Sequence, residues 1–146
     1  MPTKTLNEAE VAARLRVSAT RLARRLRKEN AGGLSPSQIS ALVAVSTEGP
    51  LTLGELADHE RVAPPTITKV VAKLEADGLV VREADPTDRR VSRVSTTAAA
   101  EALLAENRQR KTAWLTTRIQ QLSPEEQARL TAALDVLDHL NALDPE

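Results

Sequence analysis

Thr66, Thr68, Lys69 and Lys73 fall at spacings that place them on one side of a helix. Among them run Ile67, Val70, Val71 and Leu74 in an i, i+3, i+4, i+7 pattern, which must pack down. At about 100° per residue, that apolar set leaves Pro65, Thr68, Lys69, Ala72 and Lys73 pointing away, with Thr66 at the flank. A threonine side chain suits a base edge or a thymine methyl, and a lysine ammonium suits guanine or phosphate. Lys73, further along, reads as a phosphate contact. Just beyond lies Asp85-Pro86-Thr87-Asp88-Arg89-Arg90, a turn sequence carrying two arginines. An arginine at a hairpin tip is drawn to the negative potential of a minor groove. Arg89 is assigned that role, and Arg90 is assigned to pair with Asp88 and hold the hairpin's shape; the two roles are exchangeable. Arg82 and Arg93 fall on the flanking strands, either as phosphate contacts or as solvated charges.

The elements that must hold these residues are legible from caps and breakers. Residues 7–29 read as a helix, with Asn7 and Glu10 as a capping pair and Val11, Leu15, Leu22 and Leu26 as its apolar stripe. Ser35-Pro36-Ser37-Gln38 opens a second helix whose buried side is Ile39, Leu42, Val43 and Val45. Glu48-Gly49-Pro50 stops it. Thr52-Leu53-Gly54-Glu55 opens a third, with Leu53, Leu56 and Ala57 inward. Ala63-Pro64-Pro65-Thr66 opens the fourth, and Gly78 ends it. Strands are expected from Leu79 to Ala84 and from Val91 to Ser95, joined by the 85–90 turn. Thr97 caps a fifth helix reaching about Gln121, and Ser123-Pro124-Glu125-Glu126 opens a sixth. Leu130, Leu134, Leu137 and Leu140 stripe that last helix at near-heptad spacing.

Helix, turn, helix, then an arginine-tipped hairpin make a winged helix-turn-helix, a shape that fits duplex DNA. Composition narrows the ligand further. Trp114 is the only aromatic residue, so no stacking platform for single strands or RNA can be built. Net charge is zero, but it is unevenly spread: +5 over residues 1–30, −4 over 31–60, +2 over 61–93 and −3 over 94–146. The reading segment is therefore only mildly basic, and nonspecific affinity should be modest and strongly salt-dependent. The arginines of the first helix read mainly as a solvated or interface face. Cysteine is absent, which excludes thiol redox sensing and fits a reducing, cytoplasmic setting. No secretory or membrane-spanning stretch is expected.

The helices outside residues 35–96 each carry an apolar face that needs cover. They can cap one another within the chain, or meet the same helices of a second chain. Dimerisation is the favoured reading, because a two-fold protein suits palindromic DNA. It would set two recognition helices about 34 Å apart. The expected organisation is thus a winged helix-turn-helix DNA-binding region at 35–96 and a dimerising helical region made of 1–34 and 97–146. The fold class is mainly α, with six helices and a two-stranded wing.

Leu53-Gly54-Glu55-Leu56-Ala57, the run from Thr66 to Val80, and the wing Asp85–Arg90 followed by Thr97 resemble the MarR family of bacterial transcriptional regulators. The likeness spans nearly the whole chain. It implies a homodimer that binds a short palindromic operator, usually represses, and is released when a small-molecule effector enters the cleft between its dimerising and DNA-binding regions. Two departures stand out. Thr96-Thr97 and Ala100 stand where the family often has Leu-Thr and then Gly, and Pro64-Pro65 stiffens the start of the recognition helix and removes two amides.

A competing use for the same fold is a protein–protein module without specific DNA binding, which the neutral net charge keeps open. An enzyme finds little support: there is no phosphate loop, nucleophile elbow or metal-ligand spacing, and His59 and His139 lie far apart. No cofactor, metal or catalytic residue is expected. Trp114 reads as core or interface.

Overall fold

The computed structural model describes residues 5–143. The outermost residues of the two flanking segments, 1–4 and 144–146, lie outside the described residues. The elements are α1 (Glu8–Arg27), α2 (Pro36–Glu48), β1 (Leu51–Thr52), α3 (Leu53–Glu60), α4 (Pro64–Ala76), β2 (Val80–Ala84), β3 (Ser92–Thr96), α5 (Ala98–Ile119) and α6 (Pro124–Ala142). Two compact units divide the chain, Met1–Lys111 and Thr112–Glu146.

Local chemistry explains where these helices begin. Asn7 with Glu10, Ser35 with Gln38, Thr52 with Glu55 and Ser123 with Glu126 form reciprocal capping boxes, each satisfying two otherwise orphaned amides. Ala63 offers α4 no side-chain cap, and Pro64 and Pro65 remove two of the donors that would need one. Thr97 Oγ1 accepts the Ala100 N–H and donates to the Gly78 carbonyl, so the start of α5 is tied to the end of α4. Gly78 turns the chain out of α4 at φ +72°, a conformation glycine adopts without steric cost. Arg61 ends α3 in the same left-handed region, at φ +54°, where a side chain costs about 1–2 kcal/mol.

The sheet is antiparallel in the order β1-β3-β2. Val80 pairs with Thr96, Arg82 with Val94 and Ala84 with Ser92, which makes the wing. Leu51 and Thr52 add a third, two-residue strand against Val94 and Arg93. A strand this short has no alternation to show in sequence, and Thr52 reads there only as the cap of α3. Ile67, Val71 and Leu74 of α4 join Leu42, Leu56, Val80 and Val94 in one buried core. Val43 is a correction: it is 46% exposed, while Ala41 and Ala44 take buried places. It sits about 160° round the helix from Val45, and small alanines let α2 approach its neighbours there.

Residues of α1 and α6 behave differently. Neither helix has a buried residue, and Val11, Leu22, Leu130, Leu134 and Leu140 are exposed.

Two glycines should respond oppositely to alanine. A Cβ on Gly49 would meet the Val45 carbonyl oxygen at 2.3 Å, whereas one on Gly54 meets nothing nearer than 3.9 Å. In urea unfolding, Gly49→Ala should lose about 1–3 kcal/mol. Gly54→Ala, inside α3, should gain up to about 1 kcal/mol.

Candidate nucleic-acid interface

The polar face of α4 stays in solvent because the helix is held by its other side. Ile67, Val71 and Leu74 are at most 2% exposed, so Thr66, Thr68, Lys69 and Lys73 all stay in solvent. Thr68 Oγ1 donates to the Pro64 carbonyl at 3.0 Å and keeps its acceptor capacity. Thr66 uses its backbone N–H on Ala63. Lys69 makes no ion pair among the described residues. Lys73 lies 3.0 Å from Asp77, an exposed i,i+4 pair of little net stability that can be exchanged for another anion.

The wing is organised around Asp85, a carboxylate buried to 6% exposure. Its Oδ1 accepts from Thr87 N–H at 2.8 Å, Thr87 Oγ1 at 2.6 Å and Asp88 N–H at 3.1 Å. Its Oδ2 accepts from Arg93 Nε at 2.5 Å. Arg93 also approaches Glu55 at 3.8 Å, which links the wing to α3. Asp88 then holds Arg90: Oδ1 accepts from the Arg90 N–H and Nε, and Oδ2 accepts from Nη2 at 3.0 Å. This two-pronged geometry is the strong form of the pair, though the guanidinium remains largely in water. Arg82 Nε lies 3.3 Å from Glu75 Oε2, close enough for an ion pair but without hydrogen-bond geometry. Arg89 is exposed and has no partner among the described residues.

The predicted residues therefore fall into two sets. Thr66, Thr68, Lys69 and Arg89 stand exposed with no carboxylate attached. Lys73, Arg82, Arg90 and Arg93 each face an acid, and Arg93 faces two, Asp85 and Glu55. Sequence reasoning missed Asp85 as the hub. The signal was available, since Asp followed two residues later by Thr is the spacing of a side-chain turn.

Electrostatics follow from these contacts. The Thr87 hydroxyl, then Arg93, then the Thr87 and Asp88 amides hold Asp85 well below the usual carboxylate range. The Arg90 side chain and amide lower Asp88. Arg90 and Arg93 are raised by the same partners. A carboxylate lowered in the folded state stabilises at all pH above its unfolded value of about 3.9, and that stabilisation fades as pH falls through the folded value. Asp85, Asp88, Arg90 and Arg93 are therefore all charged near neutrality.

Among the described residues, no group of three or more His, Cys, Asp or Glu is arranged to hold a metal. No helix among them is long and apolar enough to cross a membrane.

A helix held by its apolar side, beside an antiparallel hairpin tipped with arginine, defines a winged helix-turn-helix protein. The sequence profile of the MarR family matches residues 34–92. An uncharacterised HTH-type transcriptional regulator of Mycobacterium leprae is 37% identical over 132 residues, covering 90% of this chain and 92% of the relative. The solved structure of a proposed transcriptional regulator from Pseudomonas aeruginosa shares 34% identity at TM-score 0.84, covering 96% and 99% of the two chains. A Staphylococcus aureus MepR mutant bound to an oligodeoxyribonucleotide has the same fold at 19% identity and TM-score 0.69, over 92% and 98%. The chain belongs to the MarR family: it is a DNA-binding transcriptional regulator and not an enzyme.

Asp85→Asn keeps the side chain's shape and removes its charge. Amide exchange at residues 87–91 should quicken, and the melting temperature should fall at pH 7. Below about pH 4 the parent should lose stability on this account while D85N does not, narrowing the gap between the two melting curves.

Proposed function

We propose that the chain binds a palindromic operator as a homodimer, represses transcription there, and is released by a small-molecule effector. The observation that carries this is the pairing of an uncommitted Thr66, Thr68 and Lys69 face with an unpartnered Arg89 on a wing fixed by Asp85 and Arg93. Thr66, Thr68 and Lys69 would read the major groove. Arg89 would enter the minor groove, and Lys73, Arg82 and the outer edge of Arg90 would meet phosphates. Arg93 would serve chiefly to set the wing. Residues 35–96 would form the DNA-binding region, and the flanks 1–34 and 97–146 the dimerising one. The exposed apolar stripes on α1 and α6 support the second chain, since such faces need burial to be stable. Action on chromosomal DNA would put the protein in the bacterial cytoplasm.

The effector would act near the junction of α1, α2 and α5. Asn107 is buried there, and its Oδ1 accepts the Ala31 N–H at 2.7 Å. Its Nδ2 and the Asn30 Oδ1 are buried polar atoms with no partner among the described residues, which supports a polar ligand group at this place. Occupancy that changed the recognition-helix spacing away from one duplex turn would lose half-site contacts.

Gel shifts on the DNA upstream of the chain's own gene test the core of this. Lys69→Ala and Arg89→Ala should each weaken the complex by about 1–3 kcal/mol. Both should leave the melting temperature unchanged within about 2 °C, as exposed, unpaired residues. Sedimentation equilibrium should return a dimer. A strict monomer, or a parent that shifts no duplex at low salt, would contradict the proposal.

A further inference from the structure

We propose that Arg61, in the turn between α3 and α4, is a phosphate contact of the DNA complex, outside both the recognition helix and the wing. This rests on the DNA-binding reading above and adds to it a third contact region.

Three observations converge on this residue. Arg61 is exposed, and its guanidinium forms no ion pair or hydrogen bond with any described residue. That is unexpected among carboxylates: Asp58 and Glu60 closely precede it in sequence, and Glu48 and Glu60 are both within 4 Å of His59 instead. Secondly, the backbone there is left-handed at φ +54°, where glycine would fit without strain. A side chain kept in a costly conformation, with no ion pair or hydrogen bond to any described residue, points to a use outside the chain. Thirdly, the turn leads into a helix start that lacks its ordinary anion site. A helix N-terminus usually offers free amides to a phosphate. Here Pro64 and Pro65 have none, and the N–H groups of Thr66 and Ile67 both point to the Ala63 carbonyl, at 2.9 and 3.3 Å. Arg61 supplies a cation where those amides are missing.

Docking geometry fits. In a helix-turn-helix, the first helix crosses the phosphate backbone and the second enters the groove by its N-terminal residues. The turn joining them lies between those two places and so passes the phosphate rim. An arginine side chain reaches across that margin and can grip a phosphate with two parallel donors.

The test uses the full chain with R61G and R61K. Fluorescence anisotropy would follow binding to the duplex upstream of the chain's own gene, and to a shuffled duplex of equal length, across a series of KCl concentrations. R61G should melt no lower than the parent, because glycine suits the turn. Its plot of log affinity against log salt should be shallower by about one, the loss of one phosphate contact. Affinity should fall by the same factor on both duplexes, and R61K should keep the parent's slope. A parent-like slope for R61G, a loss confined to the upstream duplex, or a lower melting temperature would each overturn the proposal. A parent that binds neither duplex would instead defeat the DNA-binding reading beneath it.

Discussion

A helix can read DNA with one face only if its other face is fixed, and in this chain that anchoring is apolar. Ile67, Val71 and Leu74 enter a core shared with α2, α3 and both wing strands. Full burial of each side chain is worth about 1.5–3 kcal/mol, far more than any ion pair on the exposed side. The orientation of Thr68 and Lys69 is therefore set by residues that never meet solvent. The same core fixes the wing's roots, because Val80 and Val94 belong to it. Recognition helix and hairpin are thus one rigid piece.

Beyond its roots the wing needs a second device, since residues 85–91 have little apolar content. Asp85 provides it. One buried carboxylate gathers two amides, a hydroxyl and a guanidinium, and Arg93 carries the link on to Glu55 in α3. Buried charge is tolerable only when satisfied in this way. The consequence for function is a division of labour among the arginines. Arg93 is spent on shape, Arg90 is shared between Asp88 and solvent, and Arg89 alone is uncommitted at the tip. A tip so preorganised would not have to be ordered on binding.

Much of this was legible in the sequence, and the reasons are specific. Capping boxes at Asn7, Ser35, Thr52 and Ser123 are local and self-contained, so they announce helix starts. The apolar period from Ile67 to Leu74 fixed which side of α4 faces out. Other features depend on contacts distant in sequence. Asp85 with Arg93 and Thr97 with Gly78 become visible only once the strands and helices are placed. Val43 was misassigned because small residues, Ala41 and Ala44, hold the buried side where a larger apolar residue looked the better choice. Arg61 was silent for another reason: a backbone dihedral has no letter in the sequence. In sequence only Arg90 could be matched with an acid, Asp88, its neighbour in the turn; the acids held by Lys73, Arg82 and Arg93 appear only in the structure.

The central claim is geometric: two such rigid units, in a dimer, meet successive turns of one duplex. Hydroxyl-radical footprinting of the complex with the DNA upstream of the chain's own gene tests it most directly. The account predicts a two-fold symmetric pattern, with two protected windows centred about 10–11 base pairs apart. A single window, or windows whose spacing does not follow the helical repeat, would contradict it.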